Sequence, residues 1–337
     1  MNIPLSVLDL APVPTGTTPA EAARRTVDLA QLADRLGYAR YWFAEHHSMA
    51  SVASSAPEIL IAHVAAATRR IHVGSGGIML PNHAPLRIAE AFHTLEALHP
   101  GRINLGLGRA PGSEPAASRA LRAFDGEQFP SHLSEMLALS KGELPSGHPF
   151  RRVRVMPEGV TMPPIWLLGS SGASARMAGS AGMGYSFASH FSPTPAGPAF
   201  AAYRQSFTPS AQFARPHAIL GVAVVCAETE EQAQHLALTM ELARLRINRG
   251  EFLPLPSPEE ALAYPYTDSE REAVRHFRDM TIVGTPESVR AQIEAKARDT
   301  GADEVMVVTN VHGHAERLRS YELLAAAFGL DAAAGLP

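Results

Sequence analysis

Short apolar runs alternate with longer helical patterns from one end of the chain to the other. The first run covers Ile3 to Leu8, and the helix that follows is capped by Thr18 and ends at Gly37. Seven further runs are centred near residues 42, 75, 105, 167, 187, 222 and 307. Because strands that alternate with helices form parallel sheets, and eight units suit a closed barrel better than an open doubly wound sheet, the pattern predicts the α/β class and a (β/α)8 TIM barrel.

Two irregular segments interrupt this order. Residues 110–164, after the fourth strand, are rich in Pro, Gly and Ser and contain one weak helical pattern from Leu133 to Ser140. Residues 252–280, after the seventh strand, begin with a Pro-rich stretch. At roughly 100–200 residues per domain the length suggests about two domains, but an α/β barrel of ~250 residues forms one unit. We therefore expect residues 1–337 to form a single domain, with these segments as the first and second lid over the barrel mouth.

The overall charge and the single cysteine exclude several kinds of protein. The 29 Lys and Arg residues against 33 Asp and Glu give a formal net charge of −4, which provides no general basic surface for nucleic acid. Cys226 lies in the apolar run Ile219 to Ala227, which predicts a buried, unreactive thiol and no disulfide. The chain shows neither a basic stretch before an apolar segment nor a run near the ~18 apolar residues of a membrane span. We expect a cytoplasmic protein that binds neither nucleic acid nor membrane.

An acid and two imidazoles, Glu45-His46-His47, follow the second predicted strand. In a barrel the residues just after each strand line the mouth, where reactions take place. Because successive strand residues point to opposite sides, either Glu45 and His47 or His46 alone can face the barrel axis, and this disfavours a metal site built from all three. Two interpretations stay open: a rim histidine held by a carboxylate, and a catalytic or substrate-polarising histidine.

Glycines crowd the end of the third strand, in Gly74-Ser75-Gly76-Gly77. Glycine weakens a strand, and strands tolerate it mainly where the backbone bulges or where a flat ligand approaches closely. We favour the close approach of a ligand, and a kink at the barrel corner is the alternative.

The fourth strand ends in Gly106-Leu107-Gly108-Arg109. Its glycines are similar to a dinucleotide-binding loop, but Pro111 stands at the third glycine position and no helix is predicted to begin there. What remains is Arg109 at a strand end, beside glycines that allow an anion to approach. Phosphate binding and a structural salt bridge are the two interpretations of this arginine.

The fifth strand runs into a small, hydroxyl-rich turn, Gly169-Ser170-Ser171-Gly172-Ala173-Ser174, before a helix. The free N–H groups of a helix N-terminus bind phosphate. A plain helix cap is one alternative, and a nucleophile elbow around Ser171 is a weaker one because Ala173 replaces its last glycine. Since Arg109 and this turn follow neighbouring strands, both can bind one phosphate while the glycines of the third strand support an attached ring. Such a combination describes a site for flavin mononucleotide.

Four ordered motifs make a more specific comparison possible. They are Ala44-Glu45-His46-His47, the segment from Val73 to Pro81, the segment from Gly101 to Arg109, and Val283-Gly284-Thr285-Pro286-Glu287. Together they resemble the bacterial luciferase-like flavin-dependent monooxygenases, in particular the luciferase family oxidoreductase branch. The resemblance runs from about residue 3 to residue 328.

This resemblance implies a (β/α)8 barrel, usually a homodimer, that binds reduced FMN from a separate NAD(P)H:flavin reductase and reacts with O2 through a flavin hydroperoxide. It also implies that His46 is catalytic, with Glu45 adjacent and counted with it as a catalytic residue, and that a non-proline cis peptide joins Gly76 and Gly77 under the flavin ring. The cofactor-binding residues that it implies are Ser75, Gly76 and Gly77 at the ring, Arg109, Gly169, Ser170, Ser171 and Ser174 at the phosphate, and Leu168 and Ser189 at the ring edge.

The sequence departs from the light-emitting members at the first lid. Ala110-Pro111-Gly112 stands where luciferase subunits carry bulky ring-contacting residues, and the lid is short. We therefore expect a small organic substrate rather than a long-chain aldehyde. A flavin-binding protein without turnover and a deazaflavin-dependent hydride-transfer oxidoreductase are the alternative functions. His190, beside Ser189, is the second candidate histidine, and His47, His83 and His312 are left without a role.

Overall fold

A closed ring of parallel strands forms the centre of the computed structural model, which describes residues 3–122 and 125–331. The strands in these ranges are β1 (Leu5–Asp9), β2 (Arg40–Phe43), β3 (His72–Ser75), β4 (Ile78–Met79), β5 (Ile103–Gly108), β6 (Ile165–Gly169), β7 (Gly184–Ala188), β8 (Ala218–Cys226), β9 (Thr281–Gly284) and β10 (Glu304–Val308). The ring runs β1-β2-β3-β5-β6-β7-β8-β10 and closes where β10 pairs with β1. These eight strands are the eight apolar runs, so the predicted (β/α)8 barrel is confirmed.

Helices surround this ring and cover its outer face. In the described ranges they are α1 (Pro19–Leu36), α2 (Pro57–Ala67), α3 (Pro85–Leu98), α4 (Pro115–Leu121), α5 (Phe129–Lys141), α6 (Gly172–Ser180), α7 (Ala196–Ser206), α8 (Glu230–Asn248), α9 (Pro258–Ala263), α10 (Asp268–Asp279), α11 (Pro286–Thr300) and α12 (His314–Phe328). The first helix has the predicted bounds because Thr18 Oγ1 accepts a hydrogen bond from the Glu21 N–H at 3.2 Å and Gly37 adopts a left-handed φ of 89°.

The third strand differs from its prediction as one continuous run centred near residue 75. It is divided into β3, which pairs with β2 and β5, and β4, which pairs with β5 alone. The peptide between Gly76 and Gly77, which separates the two, is cis, as the resemblance implied. Glycine makes this interruption possible because the backbone lies close to its neighbours there.

Both irregular segments follow the barrel strands that the sequence indicated, β5 and β8, but they contain more helix than expected. The first lid holds α4 and α5, and the second lid holds α9 and α10. The function of these segments as lids stays a prediction, as does the single-domain organisation of residues 1–337.

The eighth strand is unusually long and extends past the barrel. Its first half pairs with β7 and β10, and its last four residues, from Ala223 to Cys226, pair with β9 outside the ring. The chain then returns as α8, whose Met240 packs against the apolar side chains inside the barrel. That inner cluster consists of Leu8, Trp42, Ala44, Trp166, Ile219, Ala223, Met306 and Val308.

A buried polar cluster lies around the start of β10. The Glu304 carboxylate accepts hydrogen bonds from Arg40 Nε at 3.1 Å, from His217 Nε2 at 3.0 Å and from the hydroxyl of Ser6. Burial alone would raise the pKa of Glu304, but the Arg40 charge and the hydrogen bonds from His217 and Ser6 lower it to about 2. An ionised carboxylate is therefore part of the folded core.

Cys226 is buried, as the sequence predicted, and burial raises the pKa of its thiol to about 12. A thiol with this pKa is protonated at neutral pH. Separately, none of the helices in the part of the chain that the structure describes is long and apolar enough to span a bilayer.

Candidate active site

Glu45 is a buried carboxylate that joins the loop after β2 to β4 and to the segment that follows β4. Its Oε1 accepts hydrogen bonds from Nε2 of His47 at 2.8 Å and of His83 at 2.9 Å, and its Oε2 accepts one from the Met79 N–H at 2.8 Å. Burial alone would raise the pKa of Glu45, but the hydrogen bonds from the two histidines and from Met79 lower it to about 2. Glu45 therefore contacts His47 and His83 rather than His46, and its contacts are those of a positioning residue.

His46 has the opposite orientation, as expected from alternation along a strand. Its Nδ1 lies 3.2 Å from the carbonyl oxygen of Gly112. A carbonyl accepts only, so this hydrogen bond assigns the hydrogen to Nδ1 and leaves a free lone pair on Nε2 of the neutral ring. Burial lowers the pKa of His46, so the ring is neutral near pH 7. The arrangement provides a neutral imidazole whose Nε2 can accept a proton.

His190 supplies a second imidazole from the end of β7. It stands over Gly221 of β8, and His46 lowers its pKa less than Arg244 does. Its Nδ1 is buried and, within the described residues, has no hydrogen-bond partner. Burial and the nearby charge of Arg244 lower the pKa of His190 to about 4. The barrel mouth thus combines two neutral imidazoles, from β2 and β7.

The glycines of the third and fourth predicted strands pack directly on each other. A Cβ at Gly77 would lie 2.7 Å from the carbonyl oxygen of Gly106, and a Cβ at Gly106 would lie 2.0 Å from that of Ser75. Ser75 Oγ also donates to the Gly106 carbonyl at 2.8 Å and accepts from the Gly106 N–H at 3.0 Å. Backbone packing inside the barrel therefore requires glycine at these positions. Their contact with a ring stays a prediction.

Arg109 and the serine turn lie side by side. Strands β5 and β6 pair with Leu107 opposite Leu167, so Arg109 and Gly169, each two residues further on, reach the same level. The Arg109 side chain is exposed, and no carboxylate of the described residues pairs with it, so the salt-bridge interpretation has no support there. An unpaired guanidinium at this position remains available to an anion.

The serine turn begins α6 and is held by its own hydroxyl groups. Ser171 Oγ accepts from the Ser174 N–H at 3.5 Å, and Ser174 Oγ donates to the Ser171 carbonyl at 2.9 Å and lies 3.1 Å from Tyr185 Oη. Ser171 is thus a helix cap, and among the described histidines none is hydrogen-bonded to it as a nucleophile elbow requires. The N–H groups of Gly172 and Ala173 have no partner within the helix, which suits them to an anion.

Leu168 and Ser189, the two predicted ring-edge residues, lie at the ends of adjacent strands, at the same end of the barrel. Leu168 is half-buried near the end of β6, and its Cδ1 would lie 2.9 Å from a Cβ at Gly106. Ser189 directly follows β7 and donates its N–H to the Phe187 carbonyl at 3.1 Å. Both positions suit the ring-edge role, which stays a prediction.

The histidines without an assigned role form hydrogen bonds with other side chains of the protein. His47 and His83 donate to Glu45, and His312 Nε2 lies 3.1 Å from Thr15 Oγ1. Across residues 3–122 and 125–331, no group of three or more His, Cys, Asp or Glu side chains is arranged to hold a metal ion.

Sequence reasoning did not single out Arg244 of α8. It follows Ala233, Ala237 and Met240 on the buried stripe of the helix, at the spacing of one helical face. A charged residue in line with an apolar stripe is the sequence signal that could have identified it. In the structure Arg244 reaches Phe191, the residue after His190.

The fold agrees with what known proteins show. The family model for luciferase-like monooxygenase matches residues 3–304, and the chain belongs to that family. It is 49% identical over 324 residues to the uncharacterized protein YvbT of Bacillus subtilis (strain 168), covering 95% of each chain. It is 42% identical over 325 residues to a luciferase-like monooxygenase of Escherichia coli (strain K12), covering 96% of each. The protein is accordingly an oxidoreductase of the monooxygenase kind.

Solved structures and one further relative add to this comparison. The crystal structure of apo-MsnO8 has a TM-score of 0.88 and 40% identity and covers 97% of this chain and 99% of its own. The N-acetyl-S-alkylcysteine monooxygenase of Bacillus subtilis (strain 168) is 34% identical over 328 residues, covering 96% of this chain and 97% of the relative.

Two more distant structures share the fold alone. One is the oxygenating constituent of 3,6-diketocamphane monooxygenase from Pseudomonas putida in complex with FMN, with a TM-score of 0.71 and 19% identity over 100% of this chain and 99% of that one. The other is an F420-dependent secondary alcohol dehydrogenase, with a TM-score of 0.69 and 12% identity over 97% of this chain and 99% of that one.

Proposed function

We propose that the protein uses reduced FMN and O2 to oxygenate a small organic molecule. The observation that carries this proposal is the unpaired Arg109 beside the N-terminus of α6, at the barrel end where Gly76–Gly77 and His46 also lie. The monooxygenase names of the relatives support the reaction class. The FMN complex of the Pseudomonas putida protein supports the choice of flavin.

The residues present fit an FMN molecule. Arg109, the first N–H groups of α6 and the hydroxyls of Ser170, Ser171 and Ser174 would hold the phosphate. A Cβ at Gly169 would lie 2.2 Å from Ser174 Oγ, so glycine allows this turn to close. The ring would rest near Ser75, Gly76 and Gly77, with Leu168 and Ser189 at its edge. When bound in reduced form, FMN supplies the activation of O2 that oxygenation requires.

Proton handling in this proposal belongs to His46. Its Nδ1–H is fixed on the Gly112 carbonyl, so Nε2 accepts a hydrogen bond or a proton from the reacting group. The His47 N–H donates to the same carbonyl at 3.2 Å, which holds the imidazole and the start of the first lid together. Glu45 fixes this loop from behind through His47 and His83.

Both lids are tied to loops at the barrel mouth, which supports a role in excluding water. The first lid starts at the Gly112 contact with His47, and Asn82 Nδ2 donates to the Pro111 carbonyl at 2.9 Å. In the second lid, the Leu255 N–H donates to the Val13 carbonyl at 2.9 Å, in the loop that follows β1. The first lid is thus tied to the loop after β2, and the second lid to the loop after β1.

A coupled assay with NADH, a flavin reductase, FMN and ¹⁸O₂ tests the proposal on a panel of small organic molecules. We expect a product that contains one ¹⁸O atom and forms only when the protein is present. Because His46→Ala removes the proposed general acid–base group, we expect it to lower the product yield by about 100-fold. His63→Ala, which changes an exposed histidine of α2, is the control and should match the wild type. Absence of ¹⁸O across the panel would overturn the oxygenase proposal, and an unchanged yield in His46→Ala would remove the role of His46.

A deazaflavin is the second candidate cofactor, because the F420-dependent dehydrogenase shares the fold. Titration of the protein with reduced FMN and with a reduced deazaflavin separates the two, and we expect FMN to bind more tightly. Tighter binding of the deazaflavin would favour hydride transfer. Tight FMN binding without turnover would favour a flavin-binding protein.

The proposal includes two partners, a separate NAD(P)H:flavin reductase and a second copy of the chain. A reductase is needed because each turnover oxidises the flavin. For the homodimer, support comes from exposed apolar side chains: Ile59 on α2 is 66% exposed and Leu98 at the end of α3 is 63% exposed. Light scattering measures the oligomeric state directly.

A further inference from the structure

Helix α8 places an arginine at the barrel mouth. Met240 packs against the apolar cluster inside the barrel, and Arg244 follows it by four residues on the same helical face. Arg244 Nη2 donates to the Phe191 carbonyl at 3.1 Å, directly beside His190. The guanidinium also lies 5.9 Å from the ring centre of Phe277 in α10. Arg244 therefore extends from helix α8 between the end of β7 and the second lid.

Among the described residues, none neutralises the charge of Arg244. Its Nε is buried and unpartnered, and no carboxylate in the described parts of the chain pairs with its guanidinium. Burial lowers the pKa of Arg244, yet a guanidinium stays charged at neutral pH. A partly buried cation without a counter-ion is costly, and an anionic ligand group would remove that cost.

His190 provides a second unsatisfied group at the same place. Its buried Nδ1 has no partner in the described residues, and its ring is neutral because burial and the Arg244 charge disfavour protonation. A neutral imidazole can donate one hydrogen bond to an oxygen, and it adds no second positive charge to the site. Two buried nitrogens without partners, one in a cation and one in a neutral ring, thus lie close enough for the Arg244 charge to act on His190.

We propose that Arg244 and His190 form a subsite for a carboxylate group of the substrate, so that the oxygenated molecule is a small organic acid. The planar guanidinium fork matches a carboxylate, and one negative charge balances one arginine. This subsite follows β7 and β8, whereas the proposed phosphate site follows β5 and β6. The inference rests on the proposed function, since it names the class of substrate for the same reaction.

Binding of matched acids and amides to the flavin-free protein tests this subsite. The probes are the N-acetyl derivatives of S-methylcysteine, methionine and leucine, each as the free acid and as the carboxamide, measured by isothermal titration calorimetry. We expect at least one acid to bind the wild type tenfold or more tightly than its amide. In Arg244→Gln that preference should disappear while the affinity for the amide stays the same.

Arg246→Gln is the matched control, because Arg246 lies on the same helix at a different angle, and it should keep the preference for the acid. Circular dichroism and thermal melting confirm that each variant is folded. If no acid binds the wild type more tightly than its amide, or if Arg244→Gln retains the preference, the subsite is overturned. The measurement contains neither flavin nor O2, so a preference for acids combined with a failed oxygenation assay would refute the proposed reaction and leave the subsite intact.

Discussion

At the scale of single residues, Arg109 carries the proposed contact with the cofactor phosphate. Its guanidinium is exposed and unpaired with any described carboxylate. Arg109→Ala should weaken the binding of reduced FMN by about 1.5–3 kcal/mol, the range of a hydrogen bond to a charged group. Anaerobic fluorescence titration measures this difference, and Arg87→Ala, an exposed arginine of α3, serves as the control. Equal affinities of Arg109→Ala and the wild type would refute the phosphate assignment.

Residue alternation predicted part of the site correctly. Glu45 and His47 share one side of the chain and contact each other, while His46 turns to the Gly112 carbonyl. The other partners of Glu45 were not predictable, because His83 and Met79 lie 38 and 34 residues further along. Only closure of the barrel brings these groups to one carboxylate. For the same reason the proximity of Arg244 to His190 has no signal in sequence spacing.

At the scale of elements, the close contact of β3 with β5 makes Gly106 sensitive to any side chain. A Cβ there would lie 2.0 Å from the Ser75 carbonyl oxygen and 2.9 Å from Leu168 Cδ1. The backbone must shift, so Gly106→Ala should lower the free energy of unfolding by about 1–3 kcal/mol. Urea unfolding measures the loss. Gly147→Ala, where a Cβ meets nothing within 4 Å, is the control, and a similar small change in both variants would contradict the packing argument.

The elements that sequence analysis missed had local signals of their own. Helices α9 and α10 each begin with a capping box, Ser257 with Glu260 and Thr267 with Glu270, in which each side chain bonds the backbone N–H of the other. The Pro-rich composition around them suggested irregular structure instead. The division of the third strand was less predictable, because its apolar residues continue past Gly77 and only the pairing of β4 with β5 separates the two parts.

At the scale of the whole molecule, the barrel was predictable because strand number and parallel order follow from local patterns. The extension of β8 beyond the ring was not, since one apolar run pairs with different neighbours along its length. That extension sets where α8 lies and brings Met240 and Arg244 to the mouth. Site residues after β2, β5 and β6 could therefore be listed from sequence, whereas the α8 contribution depends on tertiary packing.

Acid stability is a property of the folded molecule that depends on Glu304. Its pKa is about 2 in the folded protein and 4.5 in its ordinary environment, so the unfolded chain takes up a proton first as the pH falls. The stabilisation is complete above pH 4.5 and is lost as the pH approaches 2. By pH 3.5 the wild type should have lost about 1.4 kcal/mol of unfolding free energy through this group.

Glu304→Gln removes this titration and tests the assignment. The variant should be less stable than the wild type at pH 7, because Arg40 loses its charged partner, but its unfolding free energy should fall less between pH 6 and pH 3.5. Urea unfolding at several pH values measures both effects. Glu158→Gln changes a carboxylate that is 53% exposed, and it should keep the pH dependence of the wild type. Identical pH slopes for Glu304→Gln and the wild type would show that Glu304 does not supply the acid-sensitive part of the stability.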